Sequence, residues 1–163
     1  MGIRCLNRYL TKNCKKTSIQ TSHLSSLRNK LIVIDISIYL YKFASQNALH
    51  EKIYHMISLF HKYNITPLFV FDGKPPPEKN QTLKERRLNK IDAESKYNIL
   101  DNELSTTQDR DSSAKIIREM EQLKRQFVRI SEKDVLSVKE IMDAFGVRYY
   151  NAYGEADQFC ASI

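Results

Sequence analysis

Two short runs of unbroken apolar residues, each ending in an aspartate, constrain this chain more than any other feature. The first is Leu31-Ile32-Val33-Ile34-Asp35, and the second is Pro67-Leu68-Phe69-Val70-Phe71-Asp72. Runs this short and this continuous predict strands covered on both faces, as in a parallel sheet. A third segment, Val147-Arg148-Tyr149-Tyr150, predicts another strand, and Glu155 and Asp157 follow it after a short loop.

Helical patterns fill the intervals. Leu49, Ile53, Met56, Ile57, Phe60 and Tyr63 recur at helical spacing and make one apolar stripe. Val135, Val138, Ile141, Met142 and Phe145 do the same before the third strand. That second helix has defined ends, because Ser131 with Asp134 makes a capping box and Gly146 suits the left-handed position after the last turn. Alternation of strand and helix predicts an α/β fold: a parallel sheet flanked by helices, with right-handed crossovers.

From about Lys79 to Arg129 the pattern changes to mixed charge without long apolar runs. This predicts helix, break and helix projecting from the body, with the polar break at Ser105–Ser113. A solvated pair of surface helices accounts for the composition equally well.

Ligands of open parallel sheets bind outside the carboxyl ends of the strands. Asp35, Asp72, Glu155 and Asp157 all lie at or just past such ends, so neighbouring strands would bring four carboxylates into one cleft. Two carboxylates about 5 Å apart repel by roughly 3 kcal/mol at an effective dielectric near 20. Four need a cation or shifted pKa values to stay together. All-oxygen ligation suits magnesium or manganese rather than zinc. A lone strand-end aspartate is more often a helix cap; three strand ends sharing the feature favour metal.

The loop after the second strand, Asp72-Gly73-Lys74-Pro75-Pro76-Pro77, reads as a tight turn at glycine with a stiff exit. Beyond it lie Lys79, Lys84, Arg86, Arg87 and Lys90. Lys79 and Arg86 are seven apart, so on a helix they share a face. A charge run of this kind is more often simply solvated.

Composition narrows the partners. With 163 residues the chain is long enough for one compact domain, and 26 lysines and arginines against 19 acids leave it at +7. That balance favours a polyanionic partner over a charge tuned only for solubility. Cys5, Cys14 and Cys160 form no CxxC pair, so neither a disulfide framework nor a zinc site is expected. His50, His55 and His61 lack ligand spacing and read as solvated. No apolar run approaches the roughly 18–20 residues of a membrane span. Met1–Lys30 carries seven basic residues and no acid. Its charge suits a mitochondrial transit peptide, but it lacks the usual alanine and serine near its start. Met-Gly opens the chain, but Leu6 stands where myristoylation wants Ser or Thr.

Several strings together resemble the flap endonuclease and xeroderma-pigmentosum-G (XPG) nuclease family. They are Met1-Gly2-Ile3, Val33-Ile34-Asp35-Ile36-Ser37 with Tyr41, Val70-Phe71-Asp72-Gly73-Lys74-Pro75-Pro76, and Gly154-Glu155-Ala156-Asp157 with Cys160-Ala161. They occur in the family's order and cover essentially the whole chain. The resemblance implies a PIN-like fold with a helical arch and a structure-specific 5′ nuclease that cuts branched DNA with two magnesium ions. It implies metal ligation by Asp35, Asp72, Glu155 and Asp157. It implies catalytic roles for Lys79 and Arg86 at the base of the arch, and DNA contacts from Gly2, Tyr41, Lys84 and Arg87.

By the same resemblance the chain divides into an N-terminal nuclease region (1–104), a charged arch segment (105–130) and the start of an internal region (131–163). Asp157 stands where the family usually has glutamate, a shorter arm by one methylene. The family's next strand with its aspartate pair, its last metal aspartate and its helix-hairpin motif would lie past Ile163. The second metal site is therefore expected to be incomplete. The expected partner is DNA with a 5′ flap or junction, without a membrane, a nucleotide cofactor or a sliding-clamp contact from this segment. The expected compartment is the nucleus, in replication and repair. Two other readings follow from the same residues: a DNA- or partner-binding module without turnover, and a related 5′-to-3′ exoribonuclease.

Overall fold

The computed structural model describes residues 5–106 and 109–163. Three parallel strands, β1 (Leu31–Asp35), β2 (Thr66–Phe71) and β3 (Arg148–Asn151), pair in the order β1-β2-β3. Asp35 stands opposite Val70, and Phe71 stands opposite Asn151. The helices are α1 (Leu6–Asn13), α2 (Ser37–Ala44), α3 (Leu49–Lys62), α4 (Asn80–Thr106), α5 (Arg110–Lys124), α6 (Glu132–Ala144) and α7 (Ala156–Ser162). The sheet, α3 and α6 fall where the apolar patterns predict them.

The central strand explains the layering. Successive side chains of a strand point to opposite faces. Phe69 and Phe71 of β2 join Ile53 and Ile57 of α3 and Val138 and Met142 of α6 in the main core. Val70 points the other way and packs with Ala152 and Ala156, against Val33, Phe159 and Cys160. So α3 and α6 cover one face and α7 covers the other. Full burial of a side chain such as Phe69 or Ile57 stabilises the fold by about 1.5–3 kcal/mol relative to exposure.

The ends of α6 are as expected. The Ser131 hydroxyl accepts from the Asp134 amide at 3.2 Å, and the Asp134 carboxylate accepts from the Ser131 amide at 2.8 Å. These bonds hold the Asp134 carboxyl below its ordinary range, the Ser131 amide contributing most. Gly146 takes φ 64° just past the helix.

Helices α4 and α5 pack on each other, burying Ala93 and Met120 between them. The break between them is narrower than the sequence predicts. Ser105 lies in α4, and Ser112 and Ser113 lie in α5, because the Asp109 carboxylate caps α5 by accepting from the Ser112 amide at 2.9 Å. The return segment is tied to α4 by Arg129 with Glu94 at 2.7 Å and by Lys90 Nζ, which donates to the Val128 carbonyl at 3.0 Å. Tyr97 meets Phe127 edge-on.

His50, His55 and His61 are exposed, as the solvated reading expects, and two of them also make a contact. His50 bonds to the Ser137 hydroxyl at 2.7 Å, and the His61 ring lies against Phe145, so both face α6. Among the described residues no helix is long and apolar enough to cross a membrane.

A candidate carboxylate site beside a basic cleft

Asp35 is the last residue of β1, and the chain turns at once into α2. The turn brings the Ser37 amide back to Asp35 Oδ1 at 2.8 Å. The Ser37 hydroxyl donates to Asp72 Oδ2 at 2.5 Å, and the Ala156 amide donates to Asp72 Oδ1 at 2.9 Å. Asp72 is thus held between the starts of α2 and α7. Burial pushes the Asp35 carboxyl above its ordinary range; the fields of Asp72 and Asp157 push the same way, and the Ser37 amide opposes them. The Cys160 thiol is also pushed up, first by burial and then by Asp35, Asp157 and Asp72. Three of the four predicted acids therefore share one field.

Glu155 is set apart. It occupies the cap position before α7, and both its carboxylate oxygens accept from Lys79 Nζ at 2.6 Å. The path from β2 to these residues runs past Gly73. A side-chain carbon there would overlap the Ala152 carbonyl oxygen and come within 2.7 Å of the Tyr153 carbonyl oxygen. The Gly73 amide donates to the Gly154 carbonyl at 2.7 Å. The sequence suggests a tight turn at Gly73; the structure instead shows close backbone approach, and it is Gly146 that takes the positive φ.

A cleft of about 790 Å³ opens between this site and the start of α4 with the segment that follows α5. Asp72 and Glu155 form its acidic wall. Leu83, Arg86, Arg87, Lys90 and Ile91 of α4 line the same cleft at helical spacing, with Lys79 at Glu155 and Arg125 and Arg129 from the return segment. Lys79 itself ends a 3-10 turn, Pro77–Lys79, just before α4, rather than lying in the helix as its spacing from Arg86 suggests. Lys84 is exposed and falls off the lining stripe. Tyr41 lines the cleft from α2, and Lys90 Nζ sits 5.1 Å from its ring centroid. Gly2 lies outside the described residues.

Sequence reasoning missed the site roles of Ser37, Arg125 and Arg129, and it named Lys90 only within the basic run. Ser37 links two acids, and its only local signal is its place two residues after a strand-end aspartate, where an Asx-type turn forms. Lys90 supports Tyr41. Arg125 and Arg129 reach the cleft because the arch folds back, which no spacing reveals.

The donor set is carboxylate oxygen throughout, which is the chemistry of magnesium and manganese sites. The crowding of charge felt by Asp35 is what a cation would relieve. In type, then, the residues fit such an ion. In arrangement, no three acids, histidines or cysteines converge into a ligating group among the described residues. The expectation of four carboxylates converging is met only in part, because internal donors engage Asp35 and Asp72 and Lys79 takes Glu155.

The XPG N-terminal domain family model matches residues 1–93, more than half of the chain. The chain belongs to the XPG N-terminal domain family. Over its whole length, this XPG-family chain is 29% identical to a probable RAD2-like endonuclease, 076L, of Invertebrate iridescent virus 3, covering 52% of that protein. It is 27% identical to flap endonuclease 1 of Lodderomyces elongisporus, covering 44% of it. The chain thus spans about half the length of these relatives. The catalytic core of Rad2 in complex with DNA substrate superposes with a TM-score of 0.65 at 20% identity, over 98% of this chain and 40% of that one. A second Rad2–DNA complex gives 0.61 at 22% identity, over 98% of this chain and 40% of that one. The XPG-family fold accounts for the three-stranded parallel sheet and its flanking helices.

Proposed function

We propose that this chain carries the carboxylate face and the strand-engaging arch of a structure-specific 5′ nuclease that hydrolyses phosphodiesters in branched DNA. The observation that supports it is that Asp72 and Glu155 line one cleft together with a row of lysines and arginines. A DNA strand in such a cleft would lay its phosphates on the basic row with the acids beside the bond to be cut.

Asp35, Asp72, Glu155 and Asp157 would hold divalent magnesium, or manganese in its place. When bound, two such ions lower the pKa of water and neutralise charge on the attacking and leaving oxygens. Lys79 and Arg86 would donate to the phosphate as its charge builds. The Tyr41 ring would stack on the nucleotide next to the cut, steadied by Lys90. Arg87, Lys84 and the N-terminal Gly2 would contact DNA away from the reacting bond. Ser37 would hold Asp72 at a set distance from Asp35. Replication and repair in the nucleus are the setting this reading carries.

A labelled 5′-flap duplex incubated with the chain and magnesium tests the reading. Cleavage near the junction is expected, and Asp72→Ala should reduce it by about two to three orders of magnitude. Cleavage that Asp72→Ala leaves intact refutes it. A second reading, a module that holds DNA without turnover, draws on Glu155 being engaged by Lys79. Salt-dependent DNA binding with no metal-stimulated cutting would favour it. A single-stranded RNA with a 5′ phosphate, run in parallel, separates an exoribonuclease.

A further inference from the structure

Glu155 is the one acid of the site whose charge is already matched. Lys79 Nζ lies 2.6 Å from both of its oxygens. Among the described residues, Asp35, Asp72 and Asp157 have no lysine or arginine at ion-pair distance. The partners of Asp35 and Asp72 are neutral donors, the Ser37 amide and hydroxyl and the Ala156 amide. A carboxylate that holds an ammonium on both oxygens keeps lone pairs but carries a positive charge beside it, which repels a second cation.

The pair is also built to part. The Lys79 side chain is 45% exposed and that of Glu155 is 23% exposed, so water reaches the bond and screens it. Lysine is a compact charge on a flexible stem, with three donors that rotate freely. Lys79 also lines the cleft beside Arg86 and Arg87, where an incoming phosphate would compete for its ammonium.

We propose that Lys79 is an exchangeable internal cation: it neutralises Glu155 in the free protein, weakens the hold of that carboxylate on a divalent ion, and releases it when a DNA phosphate draws the ammonium away. The proposal rests on the nuclease reading for the identity of the phosphate. Its thermodynamic consequence is positive coupling. DNA and divalent ion each favour the state in which the lysine has left Glu155, so each tightens the binding of the other.

The test uses the full chain and Mn²⁺ alone, without DNA, with free ion followed by electron paramagnetic resonance. Lys79→Met should tighten Mn²⁺ binding about five- to tenfold. Arg86→Met removes the same charge from the same cleft without a bond to Glu155, and should shift binding about twofold or less. In a Glu155→Gln background, Lys79→Met should have little effect. Equal tightening by Lys79→Met and Arg86→Met would mean a general field and would overturn the proposal. So would an unchanged affinity in Lys79→Met, including undetectable binding in every variant. Flap cleavage without this tightening removes the exchange and leaves the nuclease reading standing. Tightening in a chain that never cuts removes the nuclease reading and leaves the exchange.

Discussion

The Ser37 hydroxyl donates to Asp72 at 2.5 Å across 35 positions of sequence, while the amide of the same residue donates to Asp35 at 2.8 Å. One buried serine therefore sets the spacing of two strand-end carboxylates. Ser37→Ala keeps the amide bond and loses the hydroxyl. Asp72 is exposed and can turn to water, so the expected loss is about 1 kcal/mol in urea unfolding. Wild-type stability in Ser37→Ala would show that the hydroxyl is not holding Asp72.

The Asp35 carboxyl titrates above its ordinary value of 3.8, through burial and the fields of Asp72 and Asp157. Between that value and the raised one, the folded state binds more protons than the unfolded state. Stability should therefore fall as pH rises through this window and stay lower above it. Asp35→Asn keeps an acceptor for the Ser37 amide and cannot ionise. In metal-free buffer its melting midpoint should exceed the parent's at neutral pH by a few degrees and match it in strong acid. A midpoint below the parent's at neutral pH would contradict the sign.

Any side chain at Gly73 collides with the backbone of residues 152–153. Backbone cannot swing aside as a flexible side chain can. Gly73→Ala should cost about 1–3 kcal/mol and displace the loop that carries Glu155. Thermal unfolding reads the first effect, and loss of amide-exchange protection at Gly73 and Ala152 reads the second. Gly146→Ala serves as a control with no such clash, since nothing lies within 4 Å of its added carbon; only the positive φ penalises it.

Lys79 and Arg86 line the cleft together with Asp72 and Glu155. If their donors act on the charge that develops during cleavage, Lys79→Ala and Arg86→Ala should lower kcat by about 100-fold or more while changing DNA affinity only a few-fold. Single-turnover rates and equilibrium binding to the same flap separate the two effects. Equal losses in rate and affinity would reduce both residues to phosphate contacts.

Much of the frame was legible in the linear chain. The runs at Leu31–Asp35 and Pro67–Asp72 read as strands, since neither alternates with polar residues, but only β2 is covered on both faces; β1 lies at the sheet edge and leaves Leu31 exposed. The stripes of α3 and α6 identified the cover on one side. The Ser131–Asp134 box and Gly146 marked the ends of α6, because capping is decided within a few residues. Helix α2 was not legible: it is eight residues long and mostly apolar or aromatic, so it has no clean stripe. Helix α1 buries none of its residues and so left no core pattern to read.

The site divides along the same line. By itself, the sequence determined that acids would stand at the carboxyl ends of strands, because strand ends are local; the fold decided that those strands are neighbours. It also placed a basic run directly after the second strand. Only the tertiary structure decided which acids share a field, that Ser37 couples Asp35 to Asp72, and that Lys79 takes Glu155 from 76 positions away. Those outcomes depend on side-chain direction and on how the arch folds back over the sheet. Both are fixed by long-range packing, to which spacing along the chain is blind.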